Sequence, residues 1–461
     1  MAETPAARDP ARMSIDSSKR TDLRTVVEAD RPDLITPAAT RAASPRRRSR
    51  GRSRETVLFL IGIALIALHV LDDNFVQPQP GMSPGDHIVS GLVPLALLGL
   101  AAWAYPRLRV GRRGALALIV GPLAIAAGSE GFYYTREVGP SGDDFTGLLC
   151  LPAGVLLLVL GAVGLWRSRR TEGSLWWRYP RRALIAVGAV VPAFVVVSIG
   201  IGYGTTHTGR AVVPPDRLGV AHENVKFTTA DGLELEGWYI PSKNGAAVIA
   251  FPGRKGPQRK ARMLARHGYG VLLFDRRGEG RSEGEPNSWG WGGDADVKAA
   301  IAYLRRRPDV DPDRIGGIGL SVGGEMMIET AAETDALAAV VSEGAGARST
   351  REDMDHDDPA LGKWTLGLAG SAAKTAAVAV FSNQAPPASL KDLAAKVEQP
   401  MLLIAAPNSP NGERLNHSYA RAAGDSATLW EIPESRHVGG QTAQPQEYER
   451  RVVGFFDEAL S

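Results

Sequence analysis

Five apolar segments fill the first half of this 461-residue chain, separated by short polar loops. The fourth and fifth reach the roughly 20 apolar residues that a helix needs to cross a bilayer. Backbone polar groups in hydrocarbon must be satisfied internally, so such segments predict helices. The first and third are short and could also be buried core helices. The predicted spans are Thr56–Leu71, His87–Tyr105, Gly114–Gly128, Phe145–Trp166 and Ala183–Tyr203.

The charges in the loops between these segments alternate in sign. Loops rich in arginine stay on the cytoplasmic side of a membrane, and every second loop fits that rule. With an odd number of spans, everything after Tyr203 is predicted to be extracytoplasmic, and the loss of one span would reverse this. The arginines are Arg107, Arg109, Arg112 and Arg113 between the second and third spans, and Arg167, Arg169, Arg170, Arg178, Arg181 and Arg182 between the fourth and fifth.

Composition limits the partners that we expect. The formal net charge of +3 is too small to indicate nucleic acid as a partner. The basic run 45–54 precedes the first span, where a role in setting topology is favoured over nucleic-acid binding. Residues 1–54 lack hydrophobic periodicity and are predicted to be a disordered basic tail. Cys150 is the only cysteine, so neither a disulfide framework nor a cysteine metal site is expected.

Short apolar strands alternate with helical patterns in the second half of the chain. This alternation predicts a mostly parallel sheet with helices on both faces. We divide the chain into the tail (1–54), a transmembrane helical region (55–206) and an α/β domain (207–461). The predicted strands are Val225–Thr229, Leu233–Tyr239, Ala247–Phe251, Val271–Phe274, Ile315–Gly319, Ala338–Ser342, Met401–Ala405 and Thr428–Ile432.

A G-x-S-x-G pattern, Gly319-Leu320-Ser321-Val322-Gly323, follows a predicted strand and opens a predicted helix. In that setting the pattern forms a nucleophile elbow, a strained turn that lifts the serine hydroxyl clear of the sheet. Ser321 is therefore the candidate nucleophile. The amide of Val322 is a candidate oxyanion donor, and the amide of Arg254, in the loop after the third strand, is the second candidate. A structural glycine-rich turn is the alternative interpretation.

A nucleophilic serine needs a base and a carboxylate that orients it. His437 lies in the loop after the last strand, at the same sheet edge as the elbow. His417 and His267 lie on or beside helices and are interpreted as surface residues. The carboxylate is expected after the strand Met401–Ala405, where Glu413 comes first, and Glu343, after the preceding strand, is the alternative.

With these residues in place, the sequence from about Val225 onward resembles the α/β-hydrolase superfamily. Asp275-Arg276-Arg277-Gly278-Glu279-Gly280-Arg281-Ser282 is similar to its D-x-R-G-x-G-x-S turn, and Asp313-Arg314-Ile315 leads into the elbow as in its members. These motifs recur in its serine aminopeptidase-like, dienelactone hydrolase-like and S15 peptidase-like branches. Two departures stand out: Pro252-Gly253 replaces the usual His-Gly, and the usual G-x-x-D acid motif is absent.

The resemblance implies two-step acyl transfer through a Ser321, His437 and carboxylate triad, with no metal and no organic cofactor. The substrate it implies is an ester, a thioester or an amide. The amino-acid usage, rich in Ala, Arg and Gly, suggests a bacterial source. The preceding multi-span region has no counterpart in the common soluble members.

The stretch 346–396 is too long for an ordinary connection and is predicted to form a lid or cap. It begins with a charged run for which solvation is favoured over metal binding. Residues Trp364–Phe381 are apolar and could line an acyl pocket or form the core of the cap, and a lid near a bilayer would suit lipid-like esters. The charged residues are Arg351, Glu352, Asp353, Asp355, His356, Asp357 and Asp358.

Taken together, the residues predict a multi-pass membrane protein whose extracytoplasmic α/β-hydrolase domain cleaves a small-molecule, lipid-like or peptide substrate. Two other classes stay open. One is a non-catalytic hydrolase-fold sensor or scaffold, and the other is a membrane protein that transports or handles acyl groups. Few polar residues within the spans suit a transport pathway, which weighs against the last.

Overall fold

Helices occupy most of the described residues before 208 in a computed structural model, which describes residues 53–78, 81–137, 142–169, 174–208, 210, 212–253, 256–354, 367–408 and 413–461. All but the last two residues of the predicted tail 1–54 lie outside these ranges. The first helix begins after Ser53, whose hydroxyl accepts a hydrogen bond from the amide of Thr56. The helices are α1 (Arg54–Leu71), α2 (Ile88–Ala104), α3 (Val110–Glu137), α4 (Gly142–Gly147), α5 (Cys150–Arg167) and α6 (Leu175–Thr206).

Each predicted span overlaps one of these helices, except the fourth, which begins in α4 and continues through α5. Four segments of the described chain are long and apolar enough to cross a membrane: Arg54–Val76, Ile88–Arg107, Val110–Phe132 and Phe145–Arg167. The fifth predicted span lies within α6, a continuous helix of 32 residues with a shorter apolar stretch at Pro192–Thr206. The third span was predicted too short, because α3 continues through polar residues to Glu137.

Glycines allow α3 and α5 to pack at close range. A Cβ atom on Gly154 would lie 2.8 Å from the carbonyl oxygen of Gly121, and one on Gly161 would lie 2.9 Å from that of Gly114. Small residues at such positions let helix backbones approach in membranes, where apolar burial between helices gives little driving force.

The second half contains the predicted sheet, and its strands fall within two residues of the predicted bounds. The eight strands have the order β1-β2-β4-β3-β5-β6-β7-β8. The pairs β1–β2 and β2–β4 are antiparallel, and the other five neighbouring pairs are parallel. The strands are β1 (Glu223–Thr228), β2 (Glu234–Ile240), β3 (Ala247–Phe251), β4 (Gly270–Phe274), β5 (Ile315–Leu320), β6 (Ala339–Glu343), β7 (Met401–Ala405) and β8 (Ala427–Glu431).

Helices cover both faces of this sheet, and a separate hydrophobic cluster lies under each face. The central parallel strands are buried along their whole length because both faces are covered. This confirms the predicted architecture. The helices are α7 (Gln258–Arg266), α8 (Asp294–Leu304), α9 (Val322–Glu333), α10 (Thr350–Met354), α11 (Leu368–Phe381), α12 (Leu390–Ala394), α13 (Asn416–Ala423), α14 (Gly440–Ala443) and α15 (Pro445–Ala459).

Parallel strands bring the loops after β3, β5, β6, β7 and β8 to one edge of the sheet. The predicted cap, 346–396, leaves from this edge after β6 and contains α10, α11 and α12. Ser321 lies in the turn that joins β5 to α9, Glu413 and His437 follow β7 and β8, and Glu343 is the last residue of β6.

Candidate active site

Ser321 occupies a strained turn between β5 and α9. Its backbone angles are φ 53° and ψ −124°, a region that residues with a Cβ atom rarely adopt. Glycine at position 319 lets the turn close, since a Cβ there would lie 2.2 Å from the carbonyl oxygen of Gly323. The amide of Ser321 donates to the carbonyl of Glu343 on β6 at 2.8 Å, which fixes the turn at the sheet edge.

The imidazole of His437 lies beside this serine. Its Nε2 is 2.9 Å from Ser321 Oγ, and its loop follows β8. The next residue, Val438, has φ 49°, so the loop turns sharply just after the histidine. The structure thus brings together two residues that are 116 positions apart in the sequence.

Glu413 completes a line of three side chains. Its Oε1 lies 2.7 Å from His437 Nδ1, and its other carboxylate oxygen accepts a hydrogen bond from the amide of Ala406. The side chain is 1% exposed. An ionised carboxylate only accepts hydrogen bonds, so His437 Nδ1 is the donor to Glu413. In a neutral imidazole Nε2 is then the acceptor, and it accepts from the Ser321 hydroxyl.

Glu343, the alternative acid, does not contact His437 through its carboxylate. Its oxygens accept hydrogen bonds from the hydroxyl of Tyr448 at 2.7 Å and the amide of Gly440 at 2.8 Å, and Lys260 Nζ lies 3.2 Å away. Burial, and then the negative Glu343, raise the pKa of Tyr448 well above its ordinary value. The carboxylate therefore ties the loop after His437 to β6.

The two candidate oxyanion donors are the backbone amides of Val322 and Arg254. Val322 is the first residue of α9. Amides in the first turn of a helix have no acceptor within the helix, so this one is available to a ligand near Ser321. Arg254 lies outside the described residues. The loop before it packs against the elbow, since a Cβ on Gly323 would lie 2.6 Å from Cδ of Pro252.

The competing histidines lie elsewhere, as the sequence indicated. His417 on α13 contacts Glu431 at 2.9 Å, and His267 after α7 contacts Glu449 at 2.8 Å. Both side chains are exposed to solvent. Neither histidine is bonded to the serine.

The charged run at the start of the cap is only partly described, because 355–366 lie outside the described residues. Arg351 pairs with Asp392 at 2.9 Å on the surface, whereas Glu352 is buried. Within the described ranges, no group of three or more His, Cys, Asp or Glu side chains is arranged to hold a metal ion.

A buried polar network beside the elbow was not predicted. Glu325 accepts a hydrogen bond from the amide of Gly346 at 3.0 Å, and Arg348, 1% exposed, donates to Glu329 at 2.6 Å. Burial raises the pKa of Glu325 to about 7. The sequence did contain a signal for this network. Glu325 and Glu329 are four residues apart on a helix that must pack against the sheet, so buried glutamates there need polar partners. The network holds the first residues of the cap.

Part of the chain is similar to a known protein family. Residues 216–437 match the model of the family described as X-Pro dipeptidyl-peptidase (S15 family). That range contains the candidate serine, histidine and glutamate, as well as the turn after β4.

Two relatives and one solved structure illustrate the range of similarity. An uncharacterised protein of Mycobacterium tuberculosis is 35% identical over 145 residues, which are 30% of this chain and 49% of that protein. The chain thus spans about half the length of this relative. The α/β hydrolase domain-containing protein WAV2 of Arabidopsis thaliana is 25% identical over 53% of this chain and 82% of its own. The Pyrococcus furiosus esterase Pf2001 is 23% identical, with a TM-score of 0.46, over 56% of this chain and 100% of the esterase.

Proposed function

We propose that this chain, which belongs to the α/β-hydrolase superfamily, is a membrane-anchored serine hydrolase that cleaves an ester, a thioester or an amide. The observation that carries the proposal is the continuous line from Ser321 Oγ through the His437 imidazole to the Glu413 carboxylate, at 2.9 Å and 2.7 Å. A nucleophile, its base and the group that orients the base are the three parts of a serine hydrolase triad.

In the first step His437 Nε2 takes the proton of Ser321 as its oxygen attacks the substrate carbonyl carbon. The tetrahedral oxyanion accepts hydrogen bonds from the amide of Val322 and, as the second donor, that of Arg254. The imidazolium, stabilised by Glu413, then gives its proton to the leaving alcohol, thiol or amine, and an acyl-enzyme remains.

In the second step water takes the place of the leaving group. His437 removes a proton from the water, the resulting oxygen attacks the acyl carbon, and the proton passes to Ser321 as the carboxylic acid leaves. No metal and no organic cofactor enters either step.

The first half of the chain anchors this domain in a membrane. The candidate spans in α1, α2, α3 and α5 support a multi-pass topology, and α6, with its apolar segment Ala183–Tyr203, forms the fifth span. The arginines in every second loop support a location of the hydrolase domain outside the cytoplasm, provided that α6 is the fifth span. Large apolar side chains exposed on these helices, such as Leu97 and Val155, suit contact with lipid.

A membrane-impermeant fluorophosphonate tests the reaction and the topology together, because it modifies only an activated serine that it can reach. We expect it to label intact cells that express the wild-type chain, and Ser321→Ala to abolish labelling. Ser426→Ala, at the opposite edge of the sheet before β8, is the matched control and retains it.

Two other results would each overturn part of the proposal. Labelling only after lysis would keep the hydrolase and reverse the topology. No labelling of folded protein in either preparation would favour the sensor or scaffold function instead.

A further inference from the structure

The cap helix α11 packs along α6, the last predicted membrane span. A Cβ atom on Gly370 would lie 2.1 Å from the ring of Phe194, and one on Gly202 would lie 2.6 Å from Cβ of Ala377. Further along, the ring of Phe381 meets that of Tyr203 edge-on, with centroids 5.1 Å apart. The contacts advance in the same direction on both helices, so α11 runs parallel to α6.

The start of α11 lies at a depth set by a second membrane helix. A Cβ on Gly200 would lie 3.8 Å from the side chain of Leu123, which is inside the candidate span Val110–Phe132 of α3. Phe194 lies a further six residues toward the start of α6, roughly 9 Å at 1.5 Å per residue. The Gly370 end of α11 therefore lies within the hydrocarbon region of the predicted bilayer, which is about 30 Å thick.

The surface of α11 suits that environment. Lys374 is its only charged residue, and the ammonium group lies 4.3 Å from the ring centroid of Trp289. The exposed positions are Ala372 and Ala376. This surface continues the apolar side of α6, where Val197 is 58% exposed.

The sheet edge that carries the elbow faces the same helices. The amide of Ser288 and the indole N–H of Trp289 donate to the carbonyl and hydroxyl of Thr205, in the last turn of α6, each at 2.8 Å. A Cβ on the next residue, Gly290, would lie 2.5 Å from the Val322 side chain beside the nucleophile. The loop 288–290 thus contacts both the end of α6 and the elbow.

The cap helix also reaches the histidine side of the site. The hydroxyl of Thr375 on α11 lies 2.7 Å from that of Thr350, at the start of α10. The segment leading to Thr350 begins at Gly344, where a Cβ would lie 3.2 Å from the His437 ring. Contacts within the protein therefore connect α11 to the loop beside His437 as well as to the elbow.

We propose that α11 is embedded in the bilayer and that the substrate is a long-chain acyl ester which reaches Ser321 laterally, from the leaflet on the hydrolase side, with its acyl chain against α11. The inference rests on the proposed function for its chemistry. Lateral entry keeps the apolar chain out of water, whereas entry from solution would first expose it.

The position of α11 is tested without any assay of activity. In the full-length Cys150→Ala chain, reconstituted in vesicles, Ala372→Cys carries a spin label whose accessibility to oxygen and to a water-soluble nickel chelate is measured. We expect the oxygen-rich, nickel-poor response of Leu97→Cys on α2. Ala302→Cys, exposed on α8, is the aqueous control, and an Ala372 label that behaves like it would overturn the embedding.

The route is tested with two serine probes: a short water-soluble fluorophosphonate, and a hexadecyl fluorophosphonate preloaded into the vesicle bilayer. We expect both to label Ser321. For each variant we compare the labelling rate of the hexadecyl probe in the bilayer with that of the soluble probe. We expect Ala372→Glu to lower the ratio of the first rate to the second at least tenfold, and Ala302→Glu to leave this ratio unchanged.

The outcomes separate the two proposals. If the soluble probe labels Ser321 but the bilayer probe does not, lateral entry is wrong and the hydrolase stands. An unchanged ratio in Ala372→Glu also overturns lateral entry. If neither probe labels folded protein, the hydrolase itself is wrong.

Discussion

Glu413 Oε1 lies 2.7 Å from Nδ1 of His437, although the G-x-x-D motif that usually supplies a triad acid is missing from this sequence. The longer glutamate is held by a hydrogen bond from the amide of Ala406, at the end of β7, to its second oxygen. Glu413, in the loop after β7 where that motif would lie, thereby supplies a buried carboxylate next to Nδ1 of His437, which is what a triad requires of its acid.

Replacing Glu413 with glutamine is expected to lower kcat about 10²- to 10⁴-fold with little change in KM. The amide can donate to Nδ1, which favours the wrong tautomer of His437 and removes the charge that stabilises the imidazolium. The rate of fluorophosphonate labelling measures the loss. Labelling at the wild-type rate would remove Glu413 from the triad.

Replacing Glu343 with glutamine should act mainly on stability. The change removes a charge near Lys260 and weakens the bonds from Tyr448 and Gly440, at a cost of about 1–3 kcal/mol in the free energy of unfolding. We expect a lower unfolding midpoint in detergent and a smaller kinetic loss than in Glu413→Gln. The reverse ranking of kcat would identify Glu343 as the acid.

Glu325 makes stability depend on pH. Burial raises its pKa in the folded chain from 4.5 to about 7, so the folded state holds a proton that the unfolded state releases between these values. Its contribution to stability is fully present below pH 4.5 and is lost as pH rises to about 7, on the order of 3 kcal/mol at about 1.4 kcal/mol per pKa unit. Unfolding of Glu325→Gln should therefore depend less on pH across this window, and a parallel pH profile would contradict the assignment.

Glycine at 319 is expected to be indispensable. Alanine there places Cβ 2.2 Å from a backbone oxygen of the elbow, so Gly319→Ala should cost about 1–3 kcal/mol or more and displace Ser321. Gly454 in α15, where an added Cβ meets nothing within 4 Å, is the matched control. Gly454→Ala should stabilise the chain by about 0.5–1 kcal/mol, since glycine weakens a helix interior. Unfolding midpoints of both variants give the comparison.

Much of the fold could be predicted because its signals are local. Strand β7 coincides with its predicted bounds because a run of five buried apolar residues lies between turn-forming neighbours. The elbow is similarly local, since its glycines and Ser321 are adjacent in the chain. The choice between Glu413 and Glu343 was not local, because both follow neighbouring parallel strands and only the fold decides which of them faces His437.

The remaining features depend on contacts between distant segments. An apolar stretch around α11 was evident, but its packing against α6 depends on pairs such as Gly370 with Phe194, which no periodicity reveals. The spacing of Glu325 and Glu329 on α9 indicates buried partners, but those partners, Gly346 and Arg348, lie in the loop after β6 and only the fold identifies them. The length of α3 was underestimated because hydropathy falls after Gly128 while the helix continues.

The two hydrogen bonds from Ser288 and Trp289 to Thr205 attach the loop that packs against the elbow to the last turn of α6. For a substrate dissolved in the same bilayer, enzyme and ester then meet in two dimensions. Under the proposed lateral entry, turnover would follow the number of ester molecules per unit of membrane area, and diluting the surrounding solution would leave it unchanged. Lipid packing and curvature would then affect the rate of such an enzyme together with the chemistry at the serine.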